Sequence, residues 1–553
     1  MPTIDVSLKD LSKMLGRELT VEELDDLILY AKGELDGEDG DTIKLDMKDT
    51  NRPDLWSSEG IIRQLRGNLG IETGLPRYEI HESDIQVYAD PALKDVRPYC
   101  VNAIVLDLDI DEAFLSQIIQ LQEKIALTFG RKRKEVAVGI IDYDKISPPI
   151  YYKATKPDEN AFVPLTFTEE KTPREILKEH PKGLEYGHLI EDSDVYPLLV
   201  DSRGVVLTMP PVINSEETGK VTTDTKNIFI DITGFDIDYL KIALNVIVSA
   251  FAERGGNVYG ATINYGDEKI KVPDLTPLSF NLDKKSIRGI LGLDLGDEGL
   301  KDHLERMRYG VDIKGDHVEV KYLPYRKDIM HPYDVIEDIA ISYGYNDIVP
   351  EIPRLYTIGR LLPMTRKLRL VRELMVGIGY QEVLTFTLSS NEQLYDKMEV
   401  DRPENVVEIE NPVSQSWSVL RDWITPSLLS FLSRNTHRDY PQNVFEVSEV
   451  LNEDQSAETM VDSRNKLAFA LCNSGANFTK IRESLENMMS NIGKEFVVEP
   501  VEHGSFLPGR VGRVMVDGTE FGIIGELHPK VLENWGIETP MAVAELEIER
   551  LIE

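Results

Sequence analysis

Cysteine is nearly absent from this chain: Cys100 and Cys472 are the only two in 553 residues. Thiols so few and so far apart exclude a disulfide framework and a thiolate metal cage, and they suit a reducing compartment, so a cytoplasmic protein is expected. Long apolar runs are missing as well. The longest, Ile242 to Ala252, is interrupted by Asn245 and reaches about half of the ~20 residues that span a bilayer. The opening stretch, MPTIDVSLKDLSKMLG, is polar and helical in pattern and lacks a signal peptide's apolar core, so no membrane segment is expected. Positive charge is short: 61 Lys and Arg against 97 Asp and Glu leave a formal net charge of −36. That balance excludes a chain that wraps nucleic acid with its whole surface and confines such contacts to local basic patches or a partner subunit. No internal repeat or low-complexity tract appears, which excludes extended disorder and a solenoid. What is present, 41% hydrophobic and 29% charged residues, is the composition of a folded protein whose length predicts about three to five domains.

The pattern along the chain predicts four. Residues 1–88 read as a small α+β domain, with an acidic helix over 21–35, a strand over 43–47, and a helix after Ser57 or Ser58 that buries Ile61, Ile62, Leu65 and Leu69. Residues 89–272 alternate short strands and helices, including the strand EVAVGIIDY, strands at 196–201, 204–209 and 227–233, and a helix over 239–254 that is apolar nearly all round. Residues 273–350 have the outline helix, turn, helix and β-wing. Residues 351–553 open on a long helix over 366–378 and continue through the strand EVLTFTL, a helix over 425–434 and further strands.

Three stretches carry a resemblance: DTNRPDLWSSEGIIRQLRG (49–67), PYRKDIMHPYDVIEDIAISYGYNDI (324–348), and NPVSQSWSVLRDWITPSLLSFLSRN (411–435) followed by VFEVSEV (444–450). Together and in this order they resemble the β-subunit family of phenylalanyl-tRNA synthetase in its compact archaeal and eukaryotic cytosolic form. The resemblance implies an α+β multidomain fold: a mixed α/β editing domain, a winged-helix-like domain, and a degenerate class II synthetase-like antiparallel-sheet core. It implies an α-subunit partner in an α2β2 tetramer, tRNA(Phe) as a further partner, Mg²⁺, and ATP bound mainly by the α subunit. A class II site needs an arginine and an acidic residue on the ATP α-phosphate, which Arg421 and Asp422 superficially offer. It also needs a glycine-rich approach with a second arginine, and the closing MAVAELEIERLIE has none, with Arg550 beside Glu547 and Glu549. A catalytically silent core is therefore expected, with the helix over 366–378 serving subunit association.

Asp334, Glu337 and Asp338 stand at i, i+3 and i+4, and Asp328 precedes them. Hard oxygen donors in one turn suit Mg²⁺ retaining several waters. Asp334 with Glu337 is also a capping-box pattern, favoured in a first helical turn without any metal. The resemblance implies the metal reading for all four. The candidate recognition helix, DEGLKDHLERMRYG, balances its cations with acids, so DNA binding is not expected.

An apolar phenylalanine pocket rejects an analogue that adds a hydroxyl by only about 10²-fold, so mischarged tyrosine must be removed afterwards. In IFIDITG (228–234), Phe229, Asp231 and Thr233 share one face of a strand. The resemblance implies that Leu199, Thr208, Asn214, Ser215, Asp231 and Thr233 line the editing pocket; Asp231 is expected to accept a hydrogen bond from the tyrosyl hydroxyl, and Thr208, Thr233, Asn214 and Ser215 to donate around the ester and the attacking water. Asp231 capping a turn before Gly234 is the alternative. Arg131, Lys132, Arg133 and Lys134 form the sharpest basic patch and are expected to touch the tRNA acceptor arm, although cations ending a helix also complement its dipole. Arg52, Arg63 and Arg66 are further candidates for tRNA or α-subunit contact. A free-standing editing hydrolase and a non-catalytic scaffold are the competing functional readings.

Overall fold

The computed structural model describes residues 2–549 and 551–552, so Arg550 lies outside the described residues. The chain divides into two compact units, residues 1–352 and 353–553. The first three expected regions share the first unit.

That unit begins with a three-stranded sheet in which Thr42–Met47 lies between Thr3–Ser7 and Gly33–Asp39. The helix expected over 21–35 ends at Ile28, and Lys32, at φ 56°, turns the chain into the strand Gly33–Asp39. A hairpin through Gly40 pairs that strand with Thr42–Met47, and the ladder satisfies more backbone groups than extra helical turns of an acidic segment would. Helix α1 (Ser58–Asn68) is capped by Ser57, whose Oγ accepts from the Gly60 N–H. Gly67 admits a close neighbour: a Cβ there would lie 2.2 Å from the Arg306 carbonyl oxygen, so α1 is buried on more than its apolar side.

The large sheet of this unit holds β1 (Tyr99–Leu106), β2 (Val136–Asp142), β3 (Tyr196–Val200), β4 (Val206–Met209) and β5 (Ile228–Gly234). Its strand path runs from Ile213–Asn214 through β4, β3, Ile150–Thr155, Gln86–Ala89 and Asn257–Tyr265 to β1, β5 and β2. β5 is antiparallel to β1 on one side and to β2 on the other, and every one of its residues is buried. The two ends of this path meet: Asn214 Nδ2 donates to the Ile140 carbonyl 3.1 Å away. Helix α2 (Glu112–Lys124) runs into a π-helical turn over 125–129, and α3 (Ile237–Glu253) buries most of its residues, as its all-round apolar pattern predicts.

In the third region, helices Lys284–Leu291 and Gly296–Arg306 precede the hairpin Gly310–Lys314/His317–Tyr322 and helix α4 (Pro332–Tyr343). The hairpin gains a third strand, Leu278–Asp283, which alternates on an exposed edge too weakly to stand out in sequence.

The second unit is built on a seven-stranded sheet, antiparallel except for the edge pair Gln381–Glu382 with Gln442–Glu453. Helix α5 (Thr425–Arg434) packs its Leu428, Leu429 and Leu432 into one core. The strand expected from EVLTFTL reduces to the two-residue pieces Gln381–Glu382 and Leu388–Ser389; between them Leu384 and Phe386 stay exposed, so no second sheet face rewards the pairing.

Candidate functional site

A cavity of about 290 Å³ opens where the two ends of the large sheet approach each other. Thr208 from β4, Asn214 from the strand beyond it, and Asp231 and Thr233 from β5 all line it, together with Gly139 of β2. Register explains the convergence: Asp231 lies opposite Asn102 on β1 and opposite Gly139 on β2. Asp231 is 2% exposed. Burial pushes its pKa up to about 7, and the Asn102 amide and the Arg97 charge only partly offset this. Asn102 Nδ2 donates to Asp231 Oδ1 at 3.0 Å.

The hydrogen bonds assign a direction to each hydroxyl. Buried Arg97 donates from Nε to Thr233 Oγ1 at 2.8 Å and from its terminal nitrogen to the Thr233 carbonyl at 2.6 Å, so the Thr233 hydroxyl proton is available to the cavity. Thr208 Oγ1 instead donates to the Ile213 carbonyl at 3.2 Å and presents lone pairs. Asn214 Nδ2 gives one of its two N–H groups to Ile140, and its Oδ1 accepts. Of the four expected donors, the network thus leaves Thr233 and the second Asn214 N–H as donors and turns Thr208 into an acceptor. Ser215 caps a short helix by accepting from the Glu217 N–H, and neither it nor Leu199, which is buried opposite Thr208, is among the lining residues.

The basic run divides. Arg131, Lys132 and Lys134 are exposed. Arg133 turns inward, donates to the carbonyls of Pro211 and Val212 at 3.1 and 2.8 Å, and stacks over Tyr186 at 4.2 Å, so it braces the cavity's rim. His180 is an N-cap, its Nδ1 accepting from the Lys182 N–H. Arg97, Asn102 and Gly139 were not among the sequence candidates. Asn102 left one signal, a lone amide inside the apolar strand YCVNAIVL.

The acidic constellation of the third region meets a different environment. Arg326 binds Asp328 through Nε and a terminal nitrogen at 2.9 and 2.6 Å, and Asp338 at 2.6 Å. Tyr309 also donates to Asp338 at 2.7 Å. The network continues into the first region: Arg52 forms two 2.9 Å bonds with Asp54, which Arg63 approaches at 3.4 Å, and Arg52 lies 3.7 Å from Asp328. Glu337 pairs with Lys32 at 3.0 Å. Asp334 Oδ2 accepts from the Met330 and His331 N–H groups, so the capping box joins His331 to Asp334 and not Asp334 to Glu337.

These residues do not fit a chelated divalent cation. Among the described residues Asp338 Oδ1 is buried without a hydrogen-bond partner, but it is a single oxygen in a site already neutralised by Arg52, Arg63 and Arg326. Among the described residues no three His, Cys, Asp or Glu side chains are grouped to hold a metal ion. The same burial corrects the reading of Arg52 and Arg63, which are 2% and 3% exposed and cannot reach a tRNA. Arg66 pairs with Glu253 and the Met14 carbonyl.

In the second unit Arg421 is fully buried and bonded to Glu446 at 2.7 Å and to Thr385 at 2.7 Å. It does not fit a phosphate clamp. The N-terminus of α5, which could attract an anion, is filled by Glu545: its carboxylate accepts from the N–H groups of Ile424 and Thr425 at 3.0 and 2.8 Å.

Comparison with known proteins covers the whole chain. Residues 348–548 match the Phenylalanyl tRNA synthetase beta chain CLM domain, residues 280–345 the tRNA synthetase B5 domain, and residues 110–261 the B3/4 domain. The phenylalanine–tRNA ligase β subunit of Pyrococcus furiosus is 54% identical, with 100% of each chain covered, and that of Methanocaldococcus jannaschii is 38% identical, with 99% of this chain and 100% of that one covered. The crystal structure of an N-terminal fragment of the phenylalanyl-tRNA synthetase β subunit from Pyrococcus horikoshii is 56% identical and superposes with a TM-score of 0.61, covering 62% of this chain and 100% of that one.

Proposed function

Because the chain belongs to the phenylalanine–tRNA ligase β-subunit family, we propose that it is the editing and scaffolding subunit of the ligase and leaves adenylate formation to its α partner. The ATP of the charging reaction is then bound mainly by the α subunit, because Arg421 and the α5 N-terminus hold internal carboxylates where a nucleotide would need them free. Exposed apolar residues on the second unit, Leu355, Tyr356, Ile358 and Leu362 on the approach and Leu370 and Val376 on the helix Pro363–Ile378, supply a surface for that partner. An α2β2 assembly and a divalent cation belonging to the charging site of the complex accompany this reading.

One observation carries the editing role: a buried carboxylate, Asp231, facing a cavity beside Asn214, Thr208 and Thr233. A mischarged tyrosyl ester enters with its phenol toward Asp231, which accepts the hydroxyl's hydrogen bond. Thr233, its oxygen held by Arg97, donates to the ester carbonyl as negative charge develops there. Water attacks the carbonyl, aided by Thr208 as an acceptor and by the terminal hydroxyl of the tRNA. Arg131, Lys132 and Lys134 are the exposed cations for the acceptor arm. The sense of the selectivity follows from polarity: an apolar synthetic slot barely rejects an added hydroxyl, whereas a site built to bond a hydroxyl rejects the analogue lacking it by about 10⁴ to 10⁵.

The test is deacylation by the reconstituted αβ complex. Asp231→Ala is expected to slow hydrolysis of tyrosyl-tRNA about 10- to 150-fold, the loss of one hydrogen bond to a charged group, while phenylalanine charging persists. An unchanged deacylation rate removes Asp231 from the pocket. A β chain that deacylates fully as an isolated monomer favours the free-standing hydrolase.

A further inference from the structure

Two residues at the editing cavity, Gly139 in its lining and Asn102 behind Asp231, have a chemistry that the scheme above does not use. Asn102 is fully buried in β1, and it holds Asp231 Oδ1 from behind through Nδ2 at 3.0 Å, while its own Oδ1 is buried without a hydrogen-bond partner among the described residues. A buried amide left half-satisfied weakens a strand, so its place in an apolar run points to a task other than packing. With Oδ1 held, Asp231 presents Oδ2 on the side of Gly139. A methyl group on Gly139 would lie 3.7 Å from that oxygen and 3.3 Å from Asn214 Oδ1. The bare α-carbon of Gly139 is therefore the floor of a gap about one methyl group across, flanked by two acceptors, where a single O–H can be read and a C–H leaves both acceptors unpaired.

We propose that Asn102 and Gly139 set the tyrosine selectivity of this cavity, Asn102 as a positioning residue that fixes the direction of the Asp231 carboxylate and Gly139 by keeping open the space that carboxylate faces. The inference rests on the editing reading and deepens it. The charged and titratable groups that interact with Asp231 are the Arg97 cation and the Cys100 and Tyr152 side chains, while the Asn102 amide bonds its carboxylate and the Asn214 amide oxygen lies across the gap from it. Arg97 acts at a distance, its guanidinium being taken up by Thr233 and by the Lys134 carbonyl.

The experiment compares deacylation of tyrosyl-tRNA and phenylalanyl-tRNA by the αβ complex across pH, each rate corrected by subtracting the base-promoted hydrolysis measured without enzyme before their ratio is taken. In the wild type the ratio is expected to rise with the ionisation of Asp231. Asn102→Leu removes the bond that favours the carboxylate, so the midpoint of that rise moves to higher pH and the plateau ratio falls about tenfold; a purely structural role leaves the midpoint in place. Gly139→Ala is the second variant, since its methyl displaces no backbone atom and its thermal midpoint reports folding. It is expected to lower the ratio at least tenfold at every pH. A folded Gly139→Ala complex with an unchanged ratio, or a folded Asn102→Leu complex with an unmoved midpoint, overturns the inference. A wild-type complex that deacylates neither ester overturns the editing reading and the inference with it.

Discussion

Asp231 and Asp338 are both aspartates buried in the same compact unit, and their surroundings pull them in opposite directions. Asp231 has one amide for a partner, and burial carries its pKa up to about 7. Burial acts on Asp338 in the same sense, but the Arg326, Arg52 and Lys32 charges outweigh it and hold the carboxyl below its ordinary range. Asp54 repeats the second case: burial raises it, Arg52 and Arg63 lower it, and it settles at about 2. The compensated acids join the first and third regions of the chain. The uncompensated one faces a cavity. A buried charge that the fold leaves unmatched is free to be matched by a ligand, and that separates a site from a support more sharply than acidity or clustering does.

The comparison breaks most visibly if Arg326 is removed. Arg326→Met strands Asp328 and Asp338 without their shared cation and is expected to destabilise the folded chain by about 3 to 5 kcal/mol in denaturant titration. Added Mg²⁺ is expected to restore none of it. A saturable recovery with Mg²⁺ would return the constellation to the role of a metal centre.

Asp231 gives the opposite sign. Its folded pKa, about 7, stands above the ordinary 3.8, so the unfolded chain releases this proton first as pH rises. Stability from this group is therefore full below about pH 4 and is lost as pH climbs to about 7. Asp231→Asn keeps an acceptor for Asn102 without the charge. It is expected to be more stable than the wild type at pH 8, on the order of 4 kcal/mol at about 1.4 kcal/mol per unit, with the difference vanishing toward pH 4. Equal midpoints at pH 8 and pH 4 would mean that Asp231 ionises without hindrance.

The smallest effect concerns the helix cap. Asp334→Ala loses the acceptor for the Met330 and His331 N–H groups and is expected to lose about 1 kcal/mol, equally with and without Mg²⁺. A loss that appears only in the presence of the ion would identify Asp334 as a ligand.

Local chemistry was legible in the chain itself. Ser57 before its helix, the alternation of IFIDITG, the apolar run of α3 and the turn at Gly292 all act within a few residues, and the folded elements begin and end close to where those signals lie. The order of three motifs along the full length also sufficed for the family. Partnership was not legible. Asp231 meets Asn102 and Gly139 because β5 pairs with β1 and β2 in one register. Arg52 meets Asp328 because α1 packs against the third region across Gly67. Sequence spacing is blind to such pairings, since they join positions some ninety to nearly three hundred residues apart. The elements with strong local signals were therefore determined by the sequence read locally, whereas the strands Gly33–Asp39 and Leu278–Asp283 form only with their pairing partners. Which acid is neutralised and which is left to a ligand was decided only by tertiary structure, because the energy of a buried charge depends on what lies within a few ångströms of it and not on its neighbours in the chain.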